Sequence, residues 1–290
     1  MRMRFLLIPL LLAGALAGCR GLPALSGVAA GPPASPLPVR FLLSFDDGPS
    51  GAADDNTTAR ILETLARNRW QRHIKAIFFI QTRHPAGGAT EIGRALIARL
   101  HREGHQIGLH TASARGHINH TQMPLAELDR TLDDGIEDIR RHTGDVPRFL
   151  RPPYWAYNAA TVARYEAHGL TMLLDDVSLG DGKVHGYTSN PQARSRIRAN
   201  LRRSARQIEA GDLPALDGYL PLVVTMHDTN PTTAQHLEDY LGMLIEEARA
   251  AGLTVDKTPF VAPGSEIVRV ANLRGNRPSY AQHAPGAIYR

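Results

Sequence analysis

Two adjacent carboxylates, Asp46 and Asp47, form the first group of residues that could do chemistry. They lie in the segment Ser44–Pro49, which ends in Gly and Pro. Neighbouring residues of an extended chain point to opposite sides, so the two carboxylates could hold different roles in one site. A turn rich in Asp, Gly and Pro is also common as punctuation between elements, and the pair by itself is only suggestive.

A histidine cluster follows, with His110, His117 and His120 within eleven residues. Neutral imidazoles together with one carboxylate make a site suited to zinc or another divalent first-row metal, with positions left for water and substrate. Histidines in a polar loop can also be merely exposed. Their place after an apolar segment, in a chain that also holds Asp46-Asp47, favours metal ligands.

Two further groups could complete a hydrolytic site. Arg151, in Arg151–Tyr154, could hold Asp46 by paired hydrogen bonds that keep the carboxylate ionised. His227 ends the apolar run Leu222–Met226 and titrates near neutrality, so it could act as a general acid. Taken separately, a rigid loop with a surface arginine and a histidine at a strand end are ordinary structural features.

The elements that must position these residues alternate between two types from Val39 onward. Short apolar runs predict strands, and longer segments of helical periodicity predict helices. The predicted strands are Phe41–Phe45, Lys75–Ile80, Gln106–Leu109, Arg148–Leu150, Leu170–Leu174, Leu222–Met226 and Leu253–Val255. The predicted helices include Thr58–Arg69, Glu91–Arg102, Leu125–Arg141, Ala159–His168, Gln192–Ile208 and Ala234–Ala251.

This alternation predicts an α/β fold of parallel strands joined by right-handed helical crossovers. Periodicity cannot choose between a barrel and an open, doubly wound sheet. Nearly every candidate catalytic residue directly follows a predicted strand, and both architectures build their sites at that edge. The four groups should therefore share one rim.

Taken in order, the groups resemble the polysaccharide deacetylase family with the NodB homology domain, also called carbohydrate esterase family 4. The resemblance extends over roughly Val39 to Phe260, and its most specific parts are Phe45–Pro49, Arg151–Tyr154 and the apolar strand ending at His227. It implies a distorted, incomplete (β/α) barrel. It also implies hydrolysis of N-acetyl groups on an N-acetylglucosamine-containing polysaccharide, with one divalent metal ion: Zn²⁺ first, with Co²⁺, Ni²⁺ or Mn²⁺ as alternatives.

The resemblance also implies a role for each matching catalytic residue. Asp46 would be the general base, His227 the general acid and Arg151 the residue that orients Asp46. The backbone N–H of Tyr154 would contribute to the oxyanion hole. In the family's acidic segment after the fifth strand, this chain has Asp175-Asp176-Val177-Ser178 and lacks the usual tryptophan; from it, Asp176 is a candidate to orient His227.

The metal ligands implied by the resemblance are Asp47, His110 and a second histidine. The family places the second histidine four residues after the first, where this chain has Ala114. The segment from His117 resembles the one that normally follows that histidine, as though three residues had been inserted, so we predict His117. In a continuous helix His110 and His117 would be separated by about 10.5 Å of axial rise, so the insertion must bulge or unwind. His120 is the rival ligand, and loss of the metal site is the third possibility.

Two other functions stay open at this stage. An O-acetyl esterase would use the same polarised carbonyl on an ester. A catalytically silent glycan-binding lipoprotein would keep the barrel without the metal. The altered histidine spacing favours the silent protein, whereas the presence of Asp46, Arg151 and His227 favours activity.

The first residues predict export and a lipid anchor. Arg2 and Arg4 precede the apolar run Phe5–Leu12, which is typical of a signal peptide and shorter than the roughly 20 apolar residues of a membrane-spanning helix. Leu16–Cys19 resembles the bacterial lipobox, in which the cysteine is lipidated. Arg20 is not the aspartate that commonly retains lipoproteins at the inner membrane, so we predict the periplasmic face of the outer membrane.

These signals divide the chain into four parts. Residues 1–18 are a signal peptide and residues 19–38, rich in Gly, Ala, Ser and Pro, a flexible tether. The deacetylase domain follows at 39–262. Residues 263–290, rich in Gly, Pro, Asn and Arg, are predicted to be an irregular extension.

Composition limits the remaining possibilities. The 290 residues are 43% hydrophobic and 21% charged, which is ordinary for a folded domain. Cys19 is the single cysteine, so an internal disulfide is excluded and any metal site must use nitrogen and oxygen ligands. The six arginines between Arg194 and Arg206 indicate a solvated helix face or attraction to an anionic envelope surface. We expect a monomer with no nucleic-acid partner.

Overall fold

The computed structural model describes residues 36–183 and 189–277. The predicted signal peptide, Cys19 and nearly all of the tether lie outside the described residues. Within the described residues the strands are β1 (Val39–Asp46), β2 (Ala76–Gln81), β3 (Gln106–Thr111), β4 (Phe149–Leu150), β5 (Thr171–Met172), β6 (Val177–Ser178), β7 (Leu220–His227) and β8 (Val255–Phe260). The helices are α1 (Thr57–Ala66), α2 (Glu91–Arg102), α3 (Leu125–Thr143), α4 (Ala159–Ala167), α5 (Ala193–Glu209), α6 (Pro231–Ala250) and α7 (Gly264–Arg274).

The strands form one parallel sheet in the order β5-β4-β3-β2-β1-β7-β6, with β8 also paired to β1. The sheet curls into a half-barrel, and β5 and β6 stand at its two ends. The predicted α/β fold, a distorted and incomplete barrel, is therefore confirmed.

Side-chain caps begin several of the helices that join the strands. The residue before α1, α2, α4 and α6 is Asn or Thr, and its side chain accepts a hydrogen bond from a backbone N–H of the first turn. Each such bond satisfies one of the N–H groups that a helix start leaves without a partner. The loops between strand and helix, where the candidate residues lie, are thus anchored at their helical ends.

Two layers of apolar side chains cover the two faces of the sheet. In the larger cluster, Phe41, Leu43 and Phe45 of β1 pack with apolar residues of helices α1 to α6. The smaller cluster lies on what we call the inner face, where Leu42 packs with Phe79 and with α7. Because side chains alternate along a strand, Ser44 and Asp46 point to the same face as Leu42. The inner face is thus apolar near α7 and polar towards the rim.

Helix α7 corrects one prediction. The irregular extension predicted for 263–290 is wrong for Gly264–Arg274, which is helical. Ile267, Val270 and Ala271 have the i, i+3, i+4 spacing of one apolar helix face, and all three are buried in the inner-face cluster. The surrounding Gly, Pro, Asn and Arg hid this short pattern. Residues 278–290 lie outside the described part of the chain.

The arginine-rich helix α5 is partly neutralised. Arg194 forms ion pairs with Glu246 and Glu247 of α6, and Arg198 pairs with Glu247. This clustering on one helix face agrees with a surface role. Among the described residues, no helix is both long enough and apolar enough to cross a bilayer.

Candidate metal and catalytic site

The four groups of candidate residues meet at the carboxyl ends of the strands. Asp46 is the last residue of β1 and pairs in register with His227, the last residue of β7. His110 lies one residue before the end of β3, and Arg151 directly follows β4. The structure thus brings together residues that are far apart in the sequence.

Asp47 reaches the same rim through an unusual backbone conformation. Its φ is +74°, in the left-handed region that residues with a Cβ seldom adopt. Continuing the strand would turn the Asp47 side chain away from the inner face, whereas the left-handed turn keeps it beside Asp46. The following Gly48 is required by close packing, because a Cβ there would lie 2.0 Å from Oδ2 of Asp228.

Asp47, His110 and His117 form a group that could hold a metal ion, with their ligand atoms within 4.8 Å of one another. The Asp47 Oδ1 atom lies 3.3 Å from His110 Nε2 and 3.7 Å from His117 Nε2. The two Nε2 atoms are 2.9 Å apart. Ligand atoms around a tetrahedral zinc ion, with bonds of about 2.0–2.1 Å, are about 3.3 Å apart, so the observed spacings fit such an ion.

The hydrogen bonding of His110 also fits a cation. Its Nδ1 lies 2.7 Å from the carbonyl oxygen of Arg151, which can only accept, so Nδ1 carries the proton. In the neutral ring, Nε2 then presents a lone pair to Oδ1 of Asp47, which is another acceptor. A cation between these atoms would satisfy both, and a backbone carbonyl on Nδ1 is the usual support for a histidine ligand.

Asp47 is held in the charged form that a metal ligand needs. Burial by itself would raise the pKa of its carboxyl group. When the facing imidazoles are protonated, the hydrogen bond and charge of His110, with the charges of His227 and His117, outweigh burial and hold that pKa well below its usual range. Gln81, at the end of β2, also donates a hydrogen bond of 2.8 Å to Asp47 Oδ1.

The inserted residues leave His117 within reach of His110. The strand ends at Thr111, and the chain then turns back, with the Gly116 N–H donating to Ser113 O at 3.0 Å. Gly116 has a φ of +77°, which favours glycine. The segment between the histidines is therefore a turn, and the axial separation expected of a continuous helix does not arise.

His117 and His120 have different surroundings. The His117 ring lies 4.2 Å from the ring of Tyr154, whose hydroxyl donates to His117 O at 3.1 Å. Burial, followed by the charge of His110, lowers the pKa of His117 to about 4, so its ring is neutral at pH 7. His120 is fully buried, with Nδ1 2.9 Å from the hydroxyl oxygen of Tyr165. The structure thus groups His117, and not His120, with Asp47.

Arg151 holds Asp46 by one hydrogen bond. Its NH1 group donates to Asp46 Oδ1 and to Ser44 Oγ, both at 2.8 Å, and its Nε donates to Leu173 O. The guanidinium is fully buried and lies 4.3 Å from the centre of the Phe79 ring. The predicted paired hydrogen bonds to Asp46 are therefore replaced by one, while the same NH1 group also donates to Ser44 and Nε donates to Leu173 O.

Asp181, and not Asp176, orients His227. Asp181 Oδ1 lies 2.8 Å from His227 Nδ1, and Oδ2 accepts from the His227 N–H and from the Thr233 hydroxyl of α6. Burial alone would lower the pKa of His227, but the charge and hydrogen bond of Asp181 raise it to about 10. The only sequence signal for Asp181 was an Asp-Gly turn.

Asp176 lies elsewhere on the inner face. Its Oδ2 accepts from the Val223 N–H at 2.8 Å, and its Oδ1 pairs with Arg274 of α7. The prediction that Asp176 orients His227 is therefore wrong. Asp176 faces α7 because it precedes β6, whereas the chain reaches the rim only beyond β6, at Asp181.

The sequence comparisons agree with the site. Residues 38–173 match the model of the family described as polysaccharide deacetylase, so this part of the chain is similar to that family. A peptidoglycan-N-acetylglucosamine deacetylase of Bacillus cereus is 35% identical over 112 residues, covering 39% of this chain and 35% of the relative. A chitin deacetylase of Pestalotiopsis sp is 31% identical over 127 residues, covering 44% and 38%. The chain thus spans less than half the length of these curated relatives.

Solved structures show the same fold over more of the chain. The chitin deacetylase of Colletotrichum lindemuthianum has a TM-score of 0.58 and 20% identity, covering 86% of this chain and 95% of its own. A family 4 carbohydrate esterase of Streptomyces lividans, in complex with acetate, has a TM-score of 0.52 and 24% identity, covering 77% and 97%. At these identities the likeness supports the fold alone, and the chemistry has to be inferred from the site residues themselves.

Proposed function

We propose that this protein removes N-acetyl groups from an N-acetylglucosamine-containing polysaccharide and releases acetate, using one divalent metal ion. The observation that carries the proposal is the convergence of Asp47, His110 and His117 beside Asp46 and His227. The altered histidine spacing, which favoured a silent protein, does not separate the candidate ligands.

Asp47, His110 and His117 would hold the ion. A bound divalent ion lowers the pKa of a coordinated water and polarises the acetyl carbonyl. The oxygen and nitrogen donors suit Zn²⁺ first, and also Co²⁺, Ni²⁺ or Mn²⁺. Asp47 would contribute a carboxylate oxygen, and each of the two imidazoles would contribute the lone pair of a ring nitrogen.

Asp46 would take the proton from the attacking water. Arg151 NH1 lies 2.8 Å from Oδ1 and holds the carboxylate in a fixed orientation. Because Arg151 engages only Oδ1, the other oxygen is left to accept the proton. A general base held in this way typically contributes about 10²–10⁴-fold to a rate.

His227 would donate a proton to the departing amine. Asp181 accepts at Nδ1, so the acidic proton of the imidazolium is presented from Nε2, which faces Asp47 Oδ2 at 3.9 Å. Asp181 is itself held by Thr233 of the first turn of α6, where the helix dipole favours negative charge. The Tyr154 N–H would stabilise the negative charge that develops on the acetyl oxygen.

The relatives support this class of substrate. The named activities of the two curated relatives are deacetylation of peptidoglycan N-acetylglucosamine and of chitin. Both polymers carry the same acetamide on the same sugar. We therefore propose an N-acetylglucosamine polymer as the substrate class.

The test is acetate release from N-acetylglucosamine oligomers and from peptidoglycan. We expect release by zinc-loaded protein, loss after chelation and recovery when zinc is restored. An O-acetylated xylan oligomer, assayed in parallel, separates amide from ester hydrolysis. Metal-loaded protein that is inert on all acetylated glycans, with the metal content verified, would overturn the proposal.

We further propose that the protein is exported and anchored through a lipid on Cys19, at the periplasmic face of the outer membrane, and acts as a monomer. The support for export and the lipid anchor is the sequence of residues 1–20. Metabolic labelling with a fatty acid should mark the wild-type protein and leave the Cys19→Ser variant unlabelled. Membrane fractionation of the labelled protein then tests the outer-membrane location, and light scattering of the detergent-solubilised protein tests the monomer.

A further inference from the structure

Aromatic side chains are concentrated on the loop after β4. Tyr154, Trp155 and Tyr157 occupy three of four consecutive positions, although aromatic residues make up only 6% of the chain. Tyr154 is 49% exposed, and Trp155 and Tyr157 are half-buried. A polar site that opens between such rings offers an apolar surface as well as hydrogen-bonding groups.

The backbone of this loop is strained. Tyr154 has a φ of +60° and Trp155 a φ of +53°, so two consecutive residues with large side chains lie in the left-handed region. Each such residue costs about 1–3 kcal/mol, and these conformations cluster at active sites and ligand clamps. The strain directs the two neighbouring rings to different places, since Tyr154 packs on His117 while Trp155 packs on His227.

The indole of Trp155 borders the candidate general acid. Its ring centre lies 6.4 Å from that of the His227 imidazole, with the planes at 72°. Gly182 closes another side of the same imidazole, because a Cβ on Gly182 would lie 2.6 Å from His227 Cε1. An amine held at Nε2 of His227 would therefore bring its sugar ring close to the indole.

We propose that Trp155 is a specificity-determining residue on which the pyranose ring carrying the acetamide packs. This inference rests on the proposed function. In a β-linked N-acetylglucosamine ring the substituents are equatorial, so each ring face presents axial C–H groups that can cover an aromatic ring and bury apolar area. An axial hydroxyl at C4, as in N-acetylgalactosamine, would lie unpaired against the indole. Trp155 should therefore select for the gluco configuration.

Fluorescence can test this directly, because the chain has two tryptophans. Trp70 packs on Gly242 and donates to Glu238 O, away from the rim, so the Trp70→Phe variant reports on Trp155 alone. In full-length, zinc-loaded protein that also carries Asp46→Asn to block turnover, an N-acetylglucosamine tetramer should cause a saturable change in emission. The matched Trp155→Phe protein, which keeps Trp70, should show none.

Kinetics give the second readout. We expect Trp155→Ala to raise KM about tenfold, with kcat changed only a few-fold, since packing lost equally from bound substrate and transition state changes KM alone. Trp155→Phe should fall between that variant and the wild type. Zinc content and melting temperature establish that the variants are folded, and the emission titration decides the matter if Trp155→Ala does not fold.

The outcomes separate this inference from the proposed function. Acetate release with unchanged Trp155 emission and an unchanged KM in Trp155→Ala would overturn the role of Trp155 and leave the deacetylase standing. The emission of Trp155 could also change saturably while protein that retains Asp46 releases no acetate. That result would support packing of the sugar on Trp155 and overturn the proposed hydrolysis. Equal KM values for gluco- and galacto-configured oligomers would overturn the selectivity.

Discussion

Two buried Arg–Asp pairs lie on the inner face of the sheet and differ in how completely the carboxylate is bonded. Near α7, Asp176 uses both oxygens, one for Arg274 and one for the Val223 N–H. At the rim, within the described part of the chain, Asp46 has a hydrogen bond at Oδ1 alone, from Arg151. The pair near α7 is closed, whereas the pair at the rim leaves an oxygen for chemistry.

The difference shows how the same type of residue pair, a buried Arg–Asp pair, can serve two purposes. A buried ion pair adds little net stability over apolar packing, but removing one partner is costly because the other charge stays buried. The Asp176–Arg274 pair therefore has a structural role and holds α7 against the inner face. In the Asp46–Arg151 pair, the single hydrogen bond fixes the carboxylate and leaves its other oxygen available to accept a proton.

The largest expected effect separates these roles at the rim. Asp46→Asn keeps the shape of the side chain and removes the proton acceptor, so deacetylase activity should fall by about 10²–10⁴-fold. Steady-state acetate release and thermal melting, measured on the same preparation, check this. A variant that keeps more than a tenth of wild-type activity would show that Asp46 is not the base.

The pair near α7 should respond in the opposite way. Asp176→Asn leaves Arg274 buried without its counter-charge and should lower the free energy of unfolding by about 3–5 kcal/mol. Activity per folded molecule should change little, because Asp176 does not contact the rim residues. Urea denaturation measures the loss.

The matched control is a second Arg–Asp pair, whose arginine lies on the same helix α7. Arg269 of α7 pairs with Asp217, and both side chains are more than half exposed. Asp217→Asn should therefore change the free energy of unfolding little, because solvent screens an exposed ion pair. If Asp176→Asn were no more destabilising than Asp217→Asn, the structural role assigned to the buried pair would be wrong.

An effect of intermediate size is expected for the two rival ligand histidines, His117 and His120. His117→Ala should weaken zinc binding by more than about 100-fold, since even residues outside the ligand set often cost about 10–100-fold. His120→Ala should keep its zinc and lose stability instead, because it removes a buried hydrogen-bond partner of the Tyr165 hydroxyl. Zinc content after dialysis against a weak chelator decides between them. Retained zinc in the first variant with loss in the second would reverse the assignment.

Sequence patterns predicted the long elements well and the short ones poorly. Helix α2 was predicted with its observed bounds, because its apolar spacing and its Thr90 cap are local. Strand β6 has two residues, too few to show a period, and it was missed. Strand β8 was predicted at Leu253–Val255, but it spans Val255–Phe260 because pairing with β1 extends it through polar residues.

The site shows the same limit. Asp46, His110, Arg151 and His227 could be located from the sequence because each lies at or just after the end of an apolar strand. Asp181 could not, since its partner His227 is 46 residues away and only the fold brings them together. The left-handed turn at Asp47 was equally hidden, because it depends on tertiary packing around Gly48.

The smallest expected effect concerns the two ends of β3, where buried histidines stand in different roles. His110, near the carboxyl end, faces Asp47, whereas His105, just before the strand, accepts a hydrogen bond from the Ala76 N–H. Burial, followed by the charges of Lys75 and Arg99, lowers the pKa of His105 to about 3. Between that value and its ordinary pKa of about 6.5, the unfolded chain binds more protons than the folded one, so stability is lost as pH falls through this window.

His105→Leu should flatten this pH dependence. Between pH 7 and pH 5 the difference in the free energy of unfolding should shrink by about 2 kcal/mol at most, because one protonation difference is removed. Parallel urea denaturation at the two pH values measures it, with the exposed His73→Leu variant as the control. An unchanged slope in His105→Leu would mean that this histidine has the same pKa in the folded and unfolded chains. The contrast between the structural histidine His105 and the candidate ligand His110 would then fail.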